Sequence, residues 1–112
     1  MIEDIVLNHM EEKLDVFVGL EVPDEDVPSK YVIIEKTSSS RINHIDTATF
    51  AFKSYAPTMY EAAELNEAVK LAADGLIEND LISRAALNSD YNFTDTAKKG
   101  YRYQAVYNIT YH

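Results

Sequence analysis

The feature that most constrains the fold is a change of hydrophobic period within one stretch, residues 46–77. In its first half small and aromatic side chains alternate as on a strand with one buried face, at Ala48, Phe50, Phe52 and Ser54. In its second half apolar side chains recur at helical spacing, at Met59, Ala62, Leu65, Val69, Ala72 and Leu76. Between them, Pro57 stops the strand, and Thr58 with Glu61 matches the capping box that begins a helix. The stretch predicts a strand that leads directly into an amphipathic helix.

The flanking segments predict a short helix over residues 2–14 and strands over residues 16–22, 31–37, 81–87 and 101–112. The last strand has a one-sided stripe, made of Tyr101, Tyr103, Ala105, Tyr107, Ile109 and Tyr111. Residues 38–45 and 88–100 are polar and rich in turn formers, so we expect two long connections there. Helices and strands in this order, in a chain of 112 residues, indicate one α+β domain spanning residues 1–112.

The charge balance limits the partners of this chain. The net charge is −9, from 19 acids against 10 lysines and arginines, and such a surface repels a phosphate backbone. We therefore expect no direct binding of nucleic acid. The chain has no cysteine, which excludes disulfides and cysteine-ligated metals. No apolar run approaches the roughly 20 residues that span a bilayer, and residues 1–9 lack the basic start of a secretory signal.

No motif for catalysis or for a cofactor is visible. The three glycines are isolated, and His9, His44 and His112 lack the spacing of a helical metal site. The acids form no pair in apolar surroundings of the kind that acid–base catalysis uses. We expect no enzyme activity, no catalytic residue, no cofactor and no metal. His9 is interpreted as a packing residue near an apolar helix stripe.

Three segments together carry a family resemblance. A strand, Asp46-Thr-Ala-Thr-Phe-Ala-Phe, runs into an acidic, alanine-rich helix, Tyr60-Glu-Ala-Ala-Glu-Leu-Asn-Glu-Ala-Val. Later come Asn88-Ser-Asp-Tyr-Asn-Phe-Thr-Asp-Thr and Tyr101-Arg-Tyr-Gln-Ala-Val-Tyr-Asn-Ile. This combination resembles the tail terminator, or tail-to-head joining, proteins of long-tailed bacteriophages and prophages. The likeness extends from about residue 16 to residue 112.

The resemblance implies a mainly antiparallel mixed sheet of four to five strands, with two helices packed on one face. It implies a ring, usually a hexamer, that caps the completed tail tube at the head-proximal end of the virion after assembly in the host cytoplasm. The implied partners are further copies of the chain, the tail tube protein, and a head-completion or neck protein. DNA would pass the channel without specific binding, and no membrane is involved.

As a hypothesis, the two polar connections contact neighbouring subunits or the tail tube. The interface candidates are Ser38, Ser39, Ser40, Arg41, Asn43, His44, Asp90, Asn92, Thr94, Asp95, Lys98 and Lys99. Two other interpretations stay open from the residues alone. One is a small α+β regulatory or ligand-binding module that acts as a dimer, and the other is a minor hydrolase or isomerase.

Overall fold

The computed structural model describes residues 1–95, 97 and 100–112. Its helices are α1 (Ile2–Lys13) and α2 (Met59–Asp74), and a 3₁₀ turn, Gly75–Glu78, follows α2. Its strands are β1 (Phe17–Gly19), β2 (Tyr31–Ile42), β3 (Ile45–Tyr55), β4 (Ile82–Asn92) and β5 (Arg102–Tyr111). The predicted α+β class is confirmed.

The five strands form one mixed sheet in the order β1-β2-β3-β5-β4. Only β1 and β2 are parallel, and every other neighbouring pair is antiparallel, as expected. The short β1 pairs only with Tyr31–Ile33 of β2. Within the described residues, the rest of β2 has no strand on that side, and β4 has none on its outer side. The sheet therefore has two open edges.

The core lies on the sheet face that carries the predicted aromatic side chains. Phe50, Phe52 and Tyr107 are fully buried, and the Phe52 and Tyr107 rings meet edge to face with centroids 5.7 Å apart. Leu65 and Val69 of α2 belong to the same cluster, so the predicted buried faces of β3, β5 and α2 are confirmed. We call this side of the sheet the core face. Helix α1 contacts α2 and β1, and the placement of both helices on one face stays a prediction.

The junction between β3 and α2 confirms half of the predicted capping box. The Thr58 hydroxyl accepts a hydrogen bond of 3.1 Å from the backbone N–H of Glu61, which satisfies a free donor in the first turn. The Glu61 side chain does not return a bond to Thr58 within the described residues, and its Oε2 is buried without a partner. Of the two side chains in the motif, only that of Thr58 caps the described helix.

The prediction of a long loop over residues 38–45 is wrong. β2 continues to Ile42 and pairs with β3 up to Ile45, and only Asn43 and His44 connect the two strands. Both turn residues have positive φ, 52° and 67°, as a two-residue type I′ turn requires. The serines extend the hairpin because β3 supplies their backbone partners, for example Ala48 opposite Ser39. Local polarity carries no signal of that pairing.

Three other predicted boundaries change for the same reason. The connection placed at residues 88–100 begins later, because β4 continues to Asn92 alongside β5. A register shift between Leu87 and Ser89 lets the strand pass its polar residues without losing the pairing. The strand expected over residues 16–22 is only Phe17–Gly19, since β2 offers β1 three partners. The final strand begins at Arg102 and ends at Tyr111.

The same substitution at a buried and an exposed leucine tests this packing. Leu76 has no exposed surface and Leu71 is 75% exposed. We expect Leu76→Ala to lower the free energy of unfolding by about 2–5 kcal/mol, because it leaves a cavity in the core. Leu71→Ala should change it by about 0.5 kcal/mol or less. Urea unfolding followed by circular dichroism measures both, and equal effects would contradict the burial of Leu76 in the core.

Candidate functional site

One end of the sheet is the tip of the β2–β3 hairpin. Residues 35–45 are all exposed, including the facing pair Ile42 and Ile45, which are 70% and 53% exposed. Behind them, Arg41 donates two hydrogen bonds to Asp46, Nε to Oδ1 at 2.6 Å and Nη2 to Oδ2 at 3.2 Å. The bond from Arg41 holds the pKa of Asp46 below its usual value. The hairpin thus presents two apolar side chains beyond an ion pair that braces its strands.

The other end of the sheet carries the turn that joins β4 to β5. Asn92 Oδ1 accepts a bond of 3.0 Å from the Thr94 backbone N–H, and the Thr94 hydroxyl accepts one of 3.1 Å from the Arg102 backbone N–H. Asp95 and Gly100 close the turn with a backbone bridge. Of the predicted interface residues in this region, Lys98 and Lys99 lie outside the described residues. Of the others, Asp90 lies on β4, and Asn92, Thr94 and Asp95 hold the turn with side-chain oxygens that accept backbone N–H bonds.

An aromatic–arginine stack lies next to this turn, made of Tyr31, Tyr55, Arg102 and Phe93. The Arg102 guanidinium carbon lies 4.1 Å from the Phe93 ring centroid and 5.6 Å from that of Tyr55, and NH1 donates to the Tyr55 hydroxyl at 3.0 Å. Tyr55 stacks on Tyr31 at 4.6 Å, and burial raises the pKa of Tyr31. Cation–π contacts of this kind contribute about 0.5–2 kcal/mol each. Local sequence patterns do not reveal the stack, because its members come from separate segments.

The two sets of predicted interface residues do not form a single site. Asp46 pairs with Tyr111 at the hairpin end, whereas Tyr55 pairs with Arg102 at the other end. These two rows are about 30 Å apart, at roughly 3.3 Å per strand residue. The hairpin carries six of the predicted residues: Ser38, Ser39, Ser40, Arg41, Asn43 and His44. The far end carries Asn92, Thr94 and Asp95, and β4 carries Asp90 between the two ends. A partner that contacts both ends must therefore span about 30 Å along the strands.

Charge is divided between the helices and the strands. The two helices carry eight of the 19 acids against two lysines. The strands carry only three acids, Glu35, Asp46 and Asp90, against five lysines and arginines. The acidic character of the protein is therefore concentrated on its helices and loops, and the sheet is slightly basic.

Polar contacts tie α2 to the sheet. The Tyr107 hydroxyl lies 2.8 Å from Asp74 Oδ1, to which it donates, and 3.1 Å from the backbone oxygen of Lys70. Lys70 Nζ lies 3.0 Å from Glu67 Oε1 and 3.2 Å from Asp90 Oδ2. The bond to Glu67, more than that to Asp90, raises the pKa of Lys70. Lys70 therefore links α2 to β4, and Asp74 accepts the bond from Tyr107.

His9 is half-buried, and its Nε2 donates to the backbone oxygen of Ala72 at 2.7 Å, which confirms its packing role. Within the described residues, no three histidine, aspartate or glutamate side chains are grouped as a metal site. No helix in the described part of the chain is long and apolar enough to cross a membrane. Compared with known proteins, the chain matches no family model and no curated protein.

Tyr107 generates a prediction on pH dependence. Burial, and next the bond to Asp74, raise the pKa of its hydroxyl well above the usual value of 10.0. The folded protein keeps this proton where the unfolded chain loses it, so stability is unaffected below about pH 10 and falls above it. We expect Tyr107→Phe to lower the free energy of unfolding by about 1–2 kcal/mol at pH 7 through the lost hydrogen bond. The variant's alkaline decline should be shallower by up to about 1.4 kcal/mol per pH unit.

Urea unfolding at several pH values between about 7 and 11 measures both effects. The matched control is Tyr111→Phe on the same strand, because the Tyr111 hydroxyl makes no hydrogen bond within the described residues. An alkaline slope that is the same in Tyr107→Phe and in the natural protein would refute the assignment.

The hairpin turn generates a prediction on backbone conformation. His44 has a φ of 67°, which β-branched residues adopt only with strain. We expect His44→Val to lower the free energy of unfolding by about 1–2 kcal/mol. His112→Val, the same change at a residue without positive φ, serves as the control. Urea unfolding provides the measurement, and equal values for the two variants would show that the turn is not strained.

Proposed function

We propose that this protein is a non-enzymatic structural subunit that assembles head to tail into a ring, and that the ring terminates a bacteriophage tail. The resemblance to tail terminators, from about residue 16 to residue 112, supports the identity of the assembly. The observation that carries the mode of assembly is the presence of two open edges, β2 beyond Ile33 and β4, on opposite sides of one sheet.

Strand direction fits such an assembly. β2 and β5 run one way, and β3 and β4 run the other way. If β2 of a second copy lies beside β4 with its sheet in the same orientation, the two strands are antiparallel, which is the preferred pairing in this sheet. Contacts between two different surfaces of identical subunits generate closed rings or open filaments.

The edges themselves also favour pairing. An open strand presents unpaired backbone N–H and C=O groups and is normally shielded by charges, prolines or bulges. On β2 the stretch Ser38–Ser39–Ser40 is exposed, uncharged and free of proline, and it lies beyond the register irregularity between Lys36 and Ser38. A two-fold dimer that pairs β2 with β2, or β4 with β4, leaves the other edge of each copy open. Head-to-tail pairing covers both edges of each copy with a single type of contact, β2 of one copy against β4 of the next.

The arrangement gives the two ends of the sheet separate roles. In such a ring the strands run along the channel, so the hairpin tip and the turn after β4 lie on opposite faces of the ring. One face then contacts the tail tube protein, and the other contacts the head-completion or neck protein. Ile42 and Ile45 provide apolar surface for one of these contacts. Acidic helices turned toward the channel would keep DNA from adhering.

Disulfide cross-linking tests the ring, because the natural chain has no cysteine. Ser38 and Ala86 lie in one row across the sheet, Ser38–Thr49–Asn108–Ala86, and hence on the same face. We expect the double variant Ser38→Cys, Ala86→Cys to give a ladder of covalent oligomers on oxidation, because each copy links to two neighbours. Non-reducing electrophoresis of concentrated protein measures the ladder, and a second pair, Ser40→Cys with Ala86→Cys, covers a shifted register.

The single-cysteine variants are the matched controls. Head-to-tail pairing predicts that neither of them cross-links efficiently. Covalent dimers from one single variant, with no ladder from the double variants, would instead favour the dimeric module and contradict the ring. In phage, lysates that lack this gene should contain tails of uncontrolled length or tails without heads, and normal virions would refute the role in tail termination.

A further inference from the structure

A pocket lies between α2 and the β4 side of the sheet, next to the contact of Lys70 with Asp90. It has a volume of about 350 Å³ and is lined by Tyr60, Ala63, Glu64, Asn66, Glu67, Asp90 and Tyr103. We call it the tyrosine–carboxylate pocket. None of these residues belongs to the edges used in the proposed ring except Asp90 on β4.

A buried side-chain amide faces this pocket without a partner. Asn66 is 1% exposed, and its Oδ1 accepts no hydrogen bond from the described residues. A buried acceptor that has lost water costs free energy unless a donor reaches it. Because Asn66 lines the pocket, a group with N–H donors that enters the pocket is placed to supply the missing bond once the amide turns toward it.

The charges of the pocket call for a cation. Glu64, Glu67 and Asp90 bring three carboxylates to the lining, and Lys70 is the cation that contacts two of them. Lys70 engages one oxygen of Glu67 and one of Asp90, which leaves their second oxygens and the whole Glu64 carboxylate as acceptors. The pocket is therefore negative even after its internal ion pairs are formed.

The aromatic lining narrows the chemistry of the cation. Tyr60 is 76% exposed, and Tyr103 is half-buried on β5. Tyrosine rings attract cations over their faces, and a planar guanidinium stacks on them better than an ammonium group. Guanidinium also carries five N–H donors, which suits several carboxylate oxygens and one amide oxygen at once.

We propose that the tyrosine–carboxylate pocket binds an arginine side chain of a basic, extended segment in a partner protein. The guanidinium donates to Glu64, Glu67 and Asn66 and stacks on the tyrosine rings, and its alkyl stem lies against Ala63. The acidic surface of α2 attracts the surrounding basic residues of the segment and orients its approach. This assignment does not depend on ring formation, since the pocket is complete within one copy.

The probe is a capped hexapeptide of alternating valine and arginine, titrated into ¹⁵N-labelled protein. Shift changes in ¹⁵N–¹H spectra should be largest at Ala63, Asn66, Glu67 and Tyr103 and should weaken as salt is added. The affinities of peptides with lysine, glutamine or glutamate in place of arginine show whether the pocket selects the guanidinium group. We expect the lysine peptide to bind more weakly than the arginine peptide, and the glutamine and glutamate peptides not to bind.

Three substitutions separate the pocket from general charge attraction. Glu67→Gln should weaken the affinity for the arginine peptide by about tenfold. Glu12→Gln, an exposed glutamate of α1 that undergoes the same change, should leave the affinity unaltered. Asn66→Leu should also weaken binding, although it removes an unpaired buried group and so preserves or raises the unfolding midpoint. Loss of binding in a protein that is equally or more stable cannot come from unfolding.

Three results would overturn the proposal. The first is equal binding of the arginine and glutamine peptides, and the second is an equal effect of Glu67→Gln and Glu12→Gln. The third is a change of the Ala63, Asn66 and Glu67 resonances of α2 with protein concentration alone, without a change at Ser38 or Ala86 on the ring edges, which would assign the pocket to a second copy of this chain. The cysteine ladder does not use these variants, so failure of peptide binding leaves the ring proposal standing, and failure of the ladder leaves this one standing.

Discussion

The structure depends on the contact between α2 and the core face of the sheet, and Tyr107 is at its centre. Its ring is fully buried and meets Phe52 edge to face, while its hydroxyl reaches Asp74 and the backbone of Lys70. One side chain thus joins apolar burial to a polar tether. The tether fixes the height of α2 above β5, and this brings Lys70 within reach of Asp90 on β4. The tyrosine–carboxylate pocket lies beside that ion pair, and its shape depends on this position of α2.

The same contact leaves the sheet open elsewhere. α2 covers parts of β3, β4 and β5, while β1 covers only the first residues of β2. The hairpin of β2 and β3 therefore extends beyond its neighbours with exposed side chains, and the outer side of β4 is unpaired within the described part. Open edges, a projecting tip and a capped turn at the opposite end are surfaces that suit assembly, and they carry the proposed function.

Much of the fold could be predicted from the sequence because the relevant signals are local. Alternation in β3 and β5, the helical stripe of α2 and the Thr58 cap each arise within a few residues, and each is confirmed. The two polar connections were misplaced because a serine-rich stretch becomes a strand only when another strand offers it backbone partners. The Arg41–Asp46 pair was likewise hidden, since it follows from the hairpin register. Of the candidate site, the sequence indicated the polar ends but not the pocket beside Asn66.

What the sequence by itself determined is the set of elements, their buried faces and the acidic balance, because these depend on residue type and on spacing along one segment. The tertiary structure alone decided which residues meet across segments. It placed Arg102 between Tyr55 and Phe93, and it separated the two polar ends of the sheet. It also brought mostly acidic helices together with slightly basic strands. The physical reason is strand register: hydrogen bonding between distant backbones fixes it, and no single segment contains it.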